Sequence, residues 1–379
     1  MFYTIGEIPK AQRSKIDNLH LVMVFREKLL EKYSYREIFK DLLLDLKKLE
    51  DGISIHSPYR REIKCGVLCY SSDNLEASNV GGFSACFSSK DICRVCHHQY
   101  DDLDINIHDL DGKSPVHWTA EEYDRIARGF EHCVASESAA FDEHNLFVDA
   151  EDNQSSYSSS EDEINLSTWG LKSECPLNEL QSFHCVGGFP QDLMHDAFEG
   201  VLPEDLLSII RILSKEGWFS LEQYNDQLLK FDYASYEKGD KPFAVPTNMK
   251  TTKLRGKAMS QWTHIRNWPL IIRKFILQED HPVLFLGLQL HDITERLTAQ
   301  QFFPYEIDLL EDKIRMYLDQ RKSVRVDYPQ LMKRPKPKHH FLRYVKLLLA
   351  CRLSYYHTVW GKFFNVHSHG LDSLVISMC

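Results

Sequence analysis

The chain has 379 residues, 43% of them apolar and 12% aromatic, enough for one large core or two smaller ones. Its formal net charge of −10 excludes a generic polyanion binder, although Arg321, Lys322, Arg325, Lys333, Arg334, Lys336 and Lys338 crowd one short stretch. No run of about 18 uncharged apolar residues marks a membrane span, and the opening MFYTIGEIPKAQRSK lacks the charged-then-apolar plan of a secretory signal. Ten cysteines without such a signal read as reduced thiols or metal ligands in a nuclear or cytoplasmic protein.

In chain order, residues 1–75 read as mixed α/β, with a short apolar run at 21–25. Phe39, Leu42, Leu43, Leu46 and Leu49 predict a helix over 39–49. Glu62–Tyr70 (EIKCGVLCY) predicts a strand that delivers Ser71-Ser72-Asp73-Asn74 at its end. Residues 79–100 form a turn region containing glycine and cysteine. Residues 150–164 (AEDNQSSYSSSEDEI) are too polar for a core and read as a disordered loop. Pro203 suits a first helical position, and Glu204 and Asp205 suit the positive end of that helix, which Gly217 stops. Further helices are predicted at 222–230, 283–299, 305–320 and 340–364. Trp218, Trp262, Trp268 and Trp360 read as core residues.

Four features carry chemistry. Cys93-Arg94-Val95-Cys96 can turn two thiolates onto one Zn²⁺, which is half of a tetrahedral site. His339 or His340 is the natural source of the rest; a pair of structural cysteines is the alternative. Asp73 is either a metal ligand or a turn former. Asp192, His195 and Glu199 follow a Gly/Pro turn, and His195 and Glu199, four apart, share a helix face. They read as metal ligands or as a structural histidine opening a helix. The basic stretch 321–340, with Arg325, Lys333, Arg334, Lys336 and Lys338, reads as a phosphate-contacting surface or a solvated, proline-rich loop.

Several stretches together resemble the catalytic region of animal CACTA/EnSpm-like DDE transposases. They are FYTIGEIP…RSKIDNLHLV at 2–22, SSDNLEASNVGGF…CRVC at 71–96, GLKSECPLNELQSFHCVGGFPQDLMHDAFEGVLP at 170–203 and KPKHHFL at 336–342. The layout is also similar to the catalytic subunit of the V(D)J recombinase. The resemblance implies an α/β fold with an RNase H-like core interrupted by a large, mainly α-helical insertion. It makes Asp73 the second catalytic aspartate, and makes Cys93, Cys96 and a histidine at 339 ligands of structural zinc. Asp192 and His195 become the family's Asp-x-x-His motif. Magnesium or manganese is the implied cofactor of the ancestral active site. The implied partners are DNA at transposon ends and a second copy in a homodimer.

Departures from that pattern set further expectations. The first catalytic aspartate belongs upstream of the segment at 1–9, and no N-terminal DNA-binding finger is present in the sequence. A second zinc histidine is expected five residues after His339, where Tyr344 stands. Counting from Trp360 puts Asn365 where the catalytic glutamate belongs, and Asp292 and Glu295 are remote substitutes. The tail VHSHGLDSLVISMC departs from the family. The expected organisation is a partial core at 1–100, an acidic loop region at 101–168, a helical insertion at 169–335 and a C-terminal core helix with a divergent tail at 336–379. The expected protein is transposon-derived and catalytically inactive, its DNA binding weak. The alternative is a domesticated, non-enzymatic DNA- or protein-binding module with a zinc-stabilised fold.

Overall fold

Strand β4 (Arg60–Tyr70) alternates in burial where it begins and is buried on both faces towards its end, with Cys65, Val67, Cys69 and Tyr70 all inside. Burial on both faces is what a strand with a parallel neighbour shows. That neighbour is β5 (Asp372–Met378), paired in parallel from Ile63↔Asp372 to Tyr70↔Met378. On its other side β5 pairs antiparallel with β1 (Phe2–Ile5), which pairs antiparallel with β2 (His20–Leu21). Strand β3 (Ile53–His56) closes the far edge antiparallel to β4, so the order is β2-β1-β5-β4-β3. The structure, a computed structural model, describes residues 1–5, 8, 12, 15–56, 60–84, 92–103, 116–129, 170–299, 302–344 and 372–378. The expected acidic loop at 150–164, Trp360 and Asn365 lie outside the described residues. So does the larger part of the helix predicted at 340–364.

Helix α1 (Tyr35–Asp51) covers the sheet and is longer than its apolar stripe alone predicts. Its start is set by Ser34 and Glu37: the Glu37 N–H donates to the Ser34 hydroxyl, and the Ser34 N–H donates to the Glu37 carboxylate. Phe39, Leu43 and Leu46 of α1 pack with Cys65, Val67 and Tyr70 of β4. Helix α2 (Asn74–Val80) follows β4 directly.

The second and larger core is helical. Helices α3 (Leu202–Lys215), α4 (Leu221–Lys230), α5 (Ala258–Ile272), α6 (Pro282–Leu297) and α7 (Pro304–Asp327) surround it. Helix α3 enters from a π-helical turn, Met194–Val201. Helix α6 lies against α3, α5 and α7. Trp268 is fully buried, Trp218 is buried and Trp262 is half-buried, as the sequence suggests. Helix α7 runs to Asp327, so the start of the basic stretch is helix rather than loop. A short helix, α8 (Pro337–Phe341), returns the chain to the sheet-side unit.

The whole is mixed α/β and mostly helical. Among the described residues no helix is long and apolar enough to cross a membrane. One close approach has a measurable consequence. A Cβ added at Gly287 of α6 would lie 2.4 Å from the buried Trp268 ring. Gly287→Ala is expected to destabilise by about 1–3 kcal/mol through overpacking, read as a lower urea midpoint with an unchanged slope.

Candidate metal centre

The segment 92–98 folds as a knuckle against the strand-like residues 116–118. The His97 N–H donates to Val116 O, the Trp118 N–H to Val95 O, and the Trp118 indole N–H to Cys93 O. The Val95 N–H donates to the Cys93 sulfur at 3.4 Å, which orients the first thiol inward. Helix α8, opened by Pro337, brings His340 to the same spot from 244 residues away. His340 Nε2 stands 3.3 Å from Cys96 Sγ. One ligand atom from each of Cys93, Cys96 and His340 lies within 4.8 Å of the others, and all three residues are buried. This is the only such cluster of His, Cys, Asp or Glu among the described residues, and it could hold a metal ion.

Burial pushes the Cys93 thiol up, but its hydrogen bond with Cys96 and the adjacent His340 hold it well below the ordinary thiol range. Burial raises the Cys96 thiol, and the Cys93 sulfur raises it further. The pair therefore favours ionisation at Cys93 over Cys96, and both are thiols of the kind that ligate a divalent cation. Among the described residues, buried Cys93, Cys96, Phe341 and Tyr344 pack here with half-buried Val95. His98 stacks on His340 with ring centres 4.1 Å apart, and burial lowers its pKa to about 3.

His339 is not brought to the cluster. Its Nδ1 accepts the Lys336 N–H at 3.0 Å, so its Nε2 carries the proton, which goes to Asp205 at 3.2 Å. Asp205 is fully buried. It accepts two hydrogen bonds from Arg321, at 2.7 and 2.9 Å, and a third from the Tyr317 hydroxyl. Burial would raise the Asp205 carboxyl, but Arg321 and His339 hold it well below the usual carboxylate range. The two adjacent histidines therefore serve different partners. His340 faces the knuckle, and His339 ties α8 to α3 and α7.

Asp73 ends the segment after β4, as expected, and is the N-cap of α2: its Oδ1 accepts the Glu76 N–H at 2.8 Å. It is exposed and joins no metal-holding cluster among the described residues. Its neighbour Asn74 enters a buried network that the sequence reading missed. The Asn74 amide donates to Asp196 at 2.6 Å, and the Asn74 carbonyl accepts from Arg94 at 3.1 and 3.2 Å. Arg94, inside the CxxC turn, also donates to Gln191 at 3.3 Å. Burial works against the Arg94 charge, and Asp196, Cys93, Asp192 and Asp73 support it. The available signal was an arginine between two cysteines. Such a residue needs acids nearby if it turns inward.

Asp192 and His195 also meet. Asp192 accepts the His195 N–H at 3.1 Å, and its other oxygen lies 2.5 Å from His195 Nδ1. Glu199 stands one turn on, 3.9 Å from His195 Nε2. The Lys338 ammonium donates to the His195 carbonyl at 2.6 Å, joining this turn to α8. Next to it, burial pushes the Asp196 carboxyl up to about 7, against the pull of Arg94. Folded protein then binds this proton more tightly than unfolded protein, so stability falls as pH rises from about 4 to about 7. Asp196→Asn is expected to remove about 2–3 kcal/mol of that pH dependence, measured as the difference from wild type in urea midpoints at pH 5 and pH 8.

The cations proposed for nucleic acid are partly occupied. Arg334 donates to the carbonyls of Tyr100 and Asp101 and lies over the Tyr100 ring, and Lys336 pairs with Glu204. Lys338 holds His195, as above. Arg325 is half-buried with a partner, and Lys333 is exposed. Asp292 pairs with Arg296 and Lys313, and Glu295 accepts from the Trp262 indole, so neither is positioned towards Asp73 by these contacts. The chain matches no protein-family model, no curated protein and no solved structure.

Proposed function

We propose that this is a transposon-derived protein on the DDE-transposase plan, one that keeps a zinc-stabilised fold and does not catalyse strand transfer. The observation that carries the reading is the Cys93–Cys96–His340 cluster, assembled from the two distant motifs that resemble the transposase zinc ligands. Two soft thiolates and an imidazole in a buried, closed site suit Zn²⁺, which takes tetrahedral sulfur and nitrogen donors. The RNase H-like part of the proposal is supported by β4, which ends three residues before Asp73, and by the parallel strand beside it.

Two-metal phosphodiester chemistry needs carboxylates flanking two cations about 4 Å apart. At the Asp73 end of the sheet, β5 offers Ser377 and Met378 in register. Its one carboxylate, Asp372, pairs with Ile63, roughly 23 Å away at about 3.3 Å per residue. No second carboxylate joins Asp73 in a metal-holding cluster among the described residues, and one carboxylate does not hold the pair of magnesium or manganese ions. The fold then serves as a non-enzymatic module that binds DNA or protein, in the nucleus or cytoplasm. Its DNA binding is weak, because four of the five proposed phosphate contacts already have partners within the chain.

The test is elemental analysis of the purified chain beside a strand-transfer assay with transposon-end DNA and Mn²⁺. About one zinc per chain with no strand transfer is the expected result. Strand transfer lost in Asp73→Ala would overturn the inactive reading. Absence of zinc would remove the metal-stabilised fold from the proposal.

A further inference from the structure

Three donors leave a tetrahedral cation one position short, and the neighbouring side chains differ in whether they can fill it. His98 is excluded by geometry. Its ring is stacked on His340 at an interplanar angle of 12°. A metal on His340 Nε2 lies in the plane of that imidazole, and the lone pairs of His98 lie in a parallel plane a stacking distance away. His339 is excluded because both of its nitrogens are engaged elsewhere. Among the described residues Tyr344, one helical turn beyond His340, remains. Its hydroxyl stands 3.4 Å from His340 Nε2, the same imidazole nitrogen that faces the Cys96 sulfur at 3.3 Å.

These separations are those of a coordination polyhedron. With metal bonds of about 2.0–2.3 Å, neighbouring donors of a tetrahedron stand about 3.3–3.8 Å apart. Cys96 Sγ to His340 Nε2 is 3.3 Å, and Tyr344 Oη to His340 Nε2 is 3.4 Å. The Tyr344 ring is held independently of any metal. It is buried with Phe341 and meets the His340 and His117 rings edge-on.

We propose that Tyr344 is the fourth ligand, its phenolic oxygen completing a Cys₂HisTyr site for a divalent cation of the zinc class. The proposal rests on the reading of Cys93, Cys96 and His340 as metal ligands. It makes the site closed to water, since every donor is buried. It also replaces a nitrogen or sulfur donor, the common choice, with a harder oxygen, which lowers selectivity for soft cations.

The experiment is titration of the full-length chain with Co²⁺, then Zn²⁺ competition against a chelator, on wild type, Tyr344→Phe, Tyr344→His and Cys96→Ser. Phenylalanine keeps the ring and its packing and removes only the oxygen. Tyr344→Phe is expected to bind one cobalt with changed visible ligand-field bands and an affinity lower by about tenfold or more. Tyr344→His supplies a nitrogen at the same place and is expected to recover the affinity with a third spectrum. Equal affinity and an unchanged cobalt spectrum in Tyr344→Phe would overturn the assignment of Tyr344 and leave the three-ligand site standing. No cobalt or zinc bound by wild type, or binding undiminished in Cys96→Ser, would overturn the metal site itself and Tyr344 with it.

Discussion

Asp205→Ala is expected to cost about 3–5 kcal/mol, because it leaves the Arg321 guanidinium buried without its counter-charge. Arg321 and Asp205 are each only 1% exposed, so water cannot take over. The loss also releases Tyr317 and the His339 tether on α8. A charged pair of this kind is not strongly stabilising against an apolar pair of similar volume. The combined variant Asp205→Leu with Arg321→Met is therefore expected to recover most of the loss in a urea titration. If the single and double variants are equally unstable, the cost lies in packing and not in the orphaned charge. The pair has a pH signature as well. The Asp205 carboxyl is held below its unfolded value, so its stabilisation is full above about pH 4 and fades as the pH falls. Asp205→Asn should flatten the acid limb of the stability curve.

Cys96→Ser is expected to have the other large effect. Its thiol is fully buried beside Cys93 and His340, in a small apolar cluster with Phe341 and Tyr344 among the described residues. If the site holds an ion as proposed, that ion satisfies the buried sulfurs and the imidazole and ties the knuckle to α8. Loss of the metal should remove about 4 kcal/mol or more of stability. Treating wild type with a chelator should lower its melting temperature to that of the variant. A melting temperature insensitive to both treatments would mean that protein contacts alone hold the segment 92–98. Chelation should also unseat α8, and with it Lys338 from the His195 carbonyl. A loss of amide-exchange protection around 194–201 after chelation would report that link.

Much of the helical core is legible in the sequence because its signals are local. Pro203, the acids that follow it and Gly217 bracket α3 to within a residue or two, and α4 and α6 start within a residue of their predicted places. Helix α5 escapes notice: polar residues interrupt its apolar stripe, and Pro269 sits inside it. Helix α7 outruns its prediction because Arg321 looks like a surface charge until the Asp205 partner, 116 residues away, is in view. The strands are the hardest. Strand β1 has four residues and β2 two, and β5 lies in a tail that departs from the resemblance. Their pairing is wholly non-local. The CxxC turn and the histidine pair stand out in the sequence, yet which histidine faces the knuckle depends on the first turn of α8. The buried Asn74–Arg94–Asp196 network has no local spacing at all.

Strand β5 sets an order of events. Among the described residues it alone joins the β1–β2 pair to the β3–β4 pair. About 300 residues separate β4 from it in the chain. At about 5–20 residues per second, a ribosome that has finished β4 needs roughly 15–60 s to deliver β5. For that interval the nascent chain carries two half-sheets whose facing edges have bare N–H and C=O groups, open to any strand of suitable length. The helical core can condense meanwhile, and β5 seals the sheet only after it. A cell that produces it must shield those edges during synthesis, and translation pauses between residues 70 and 372 would lengthen the exposure.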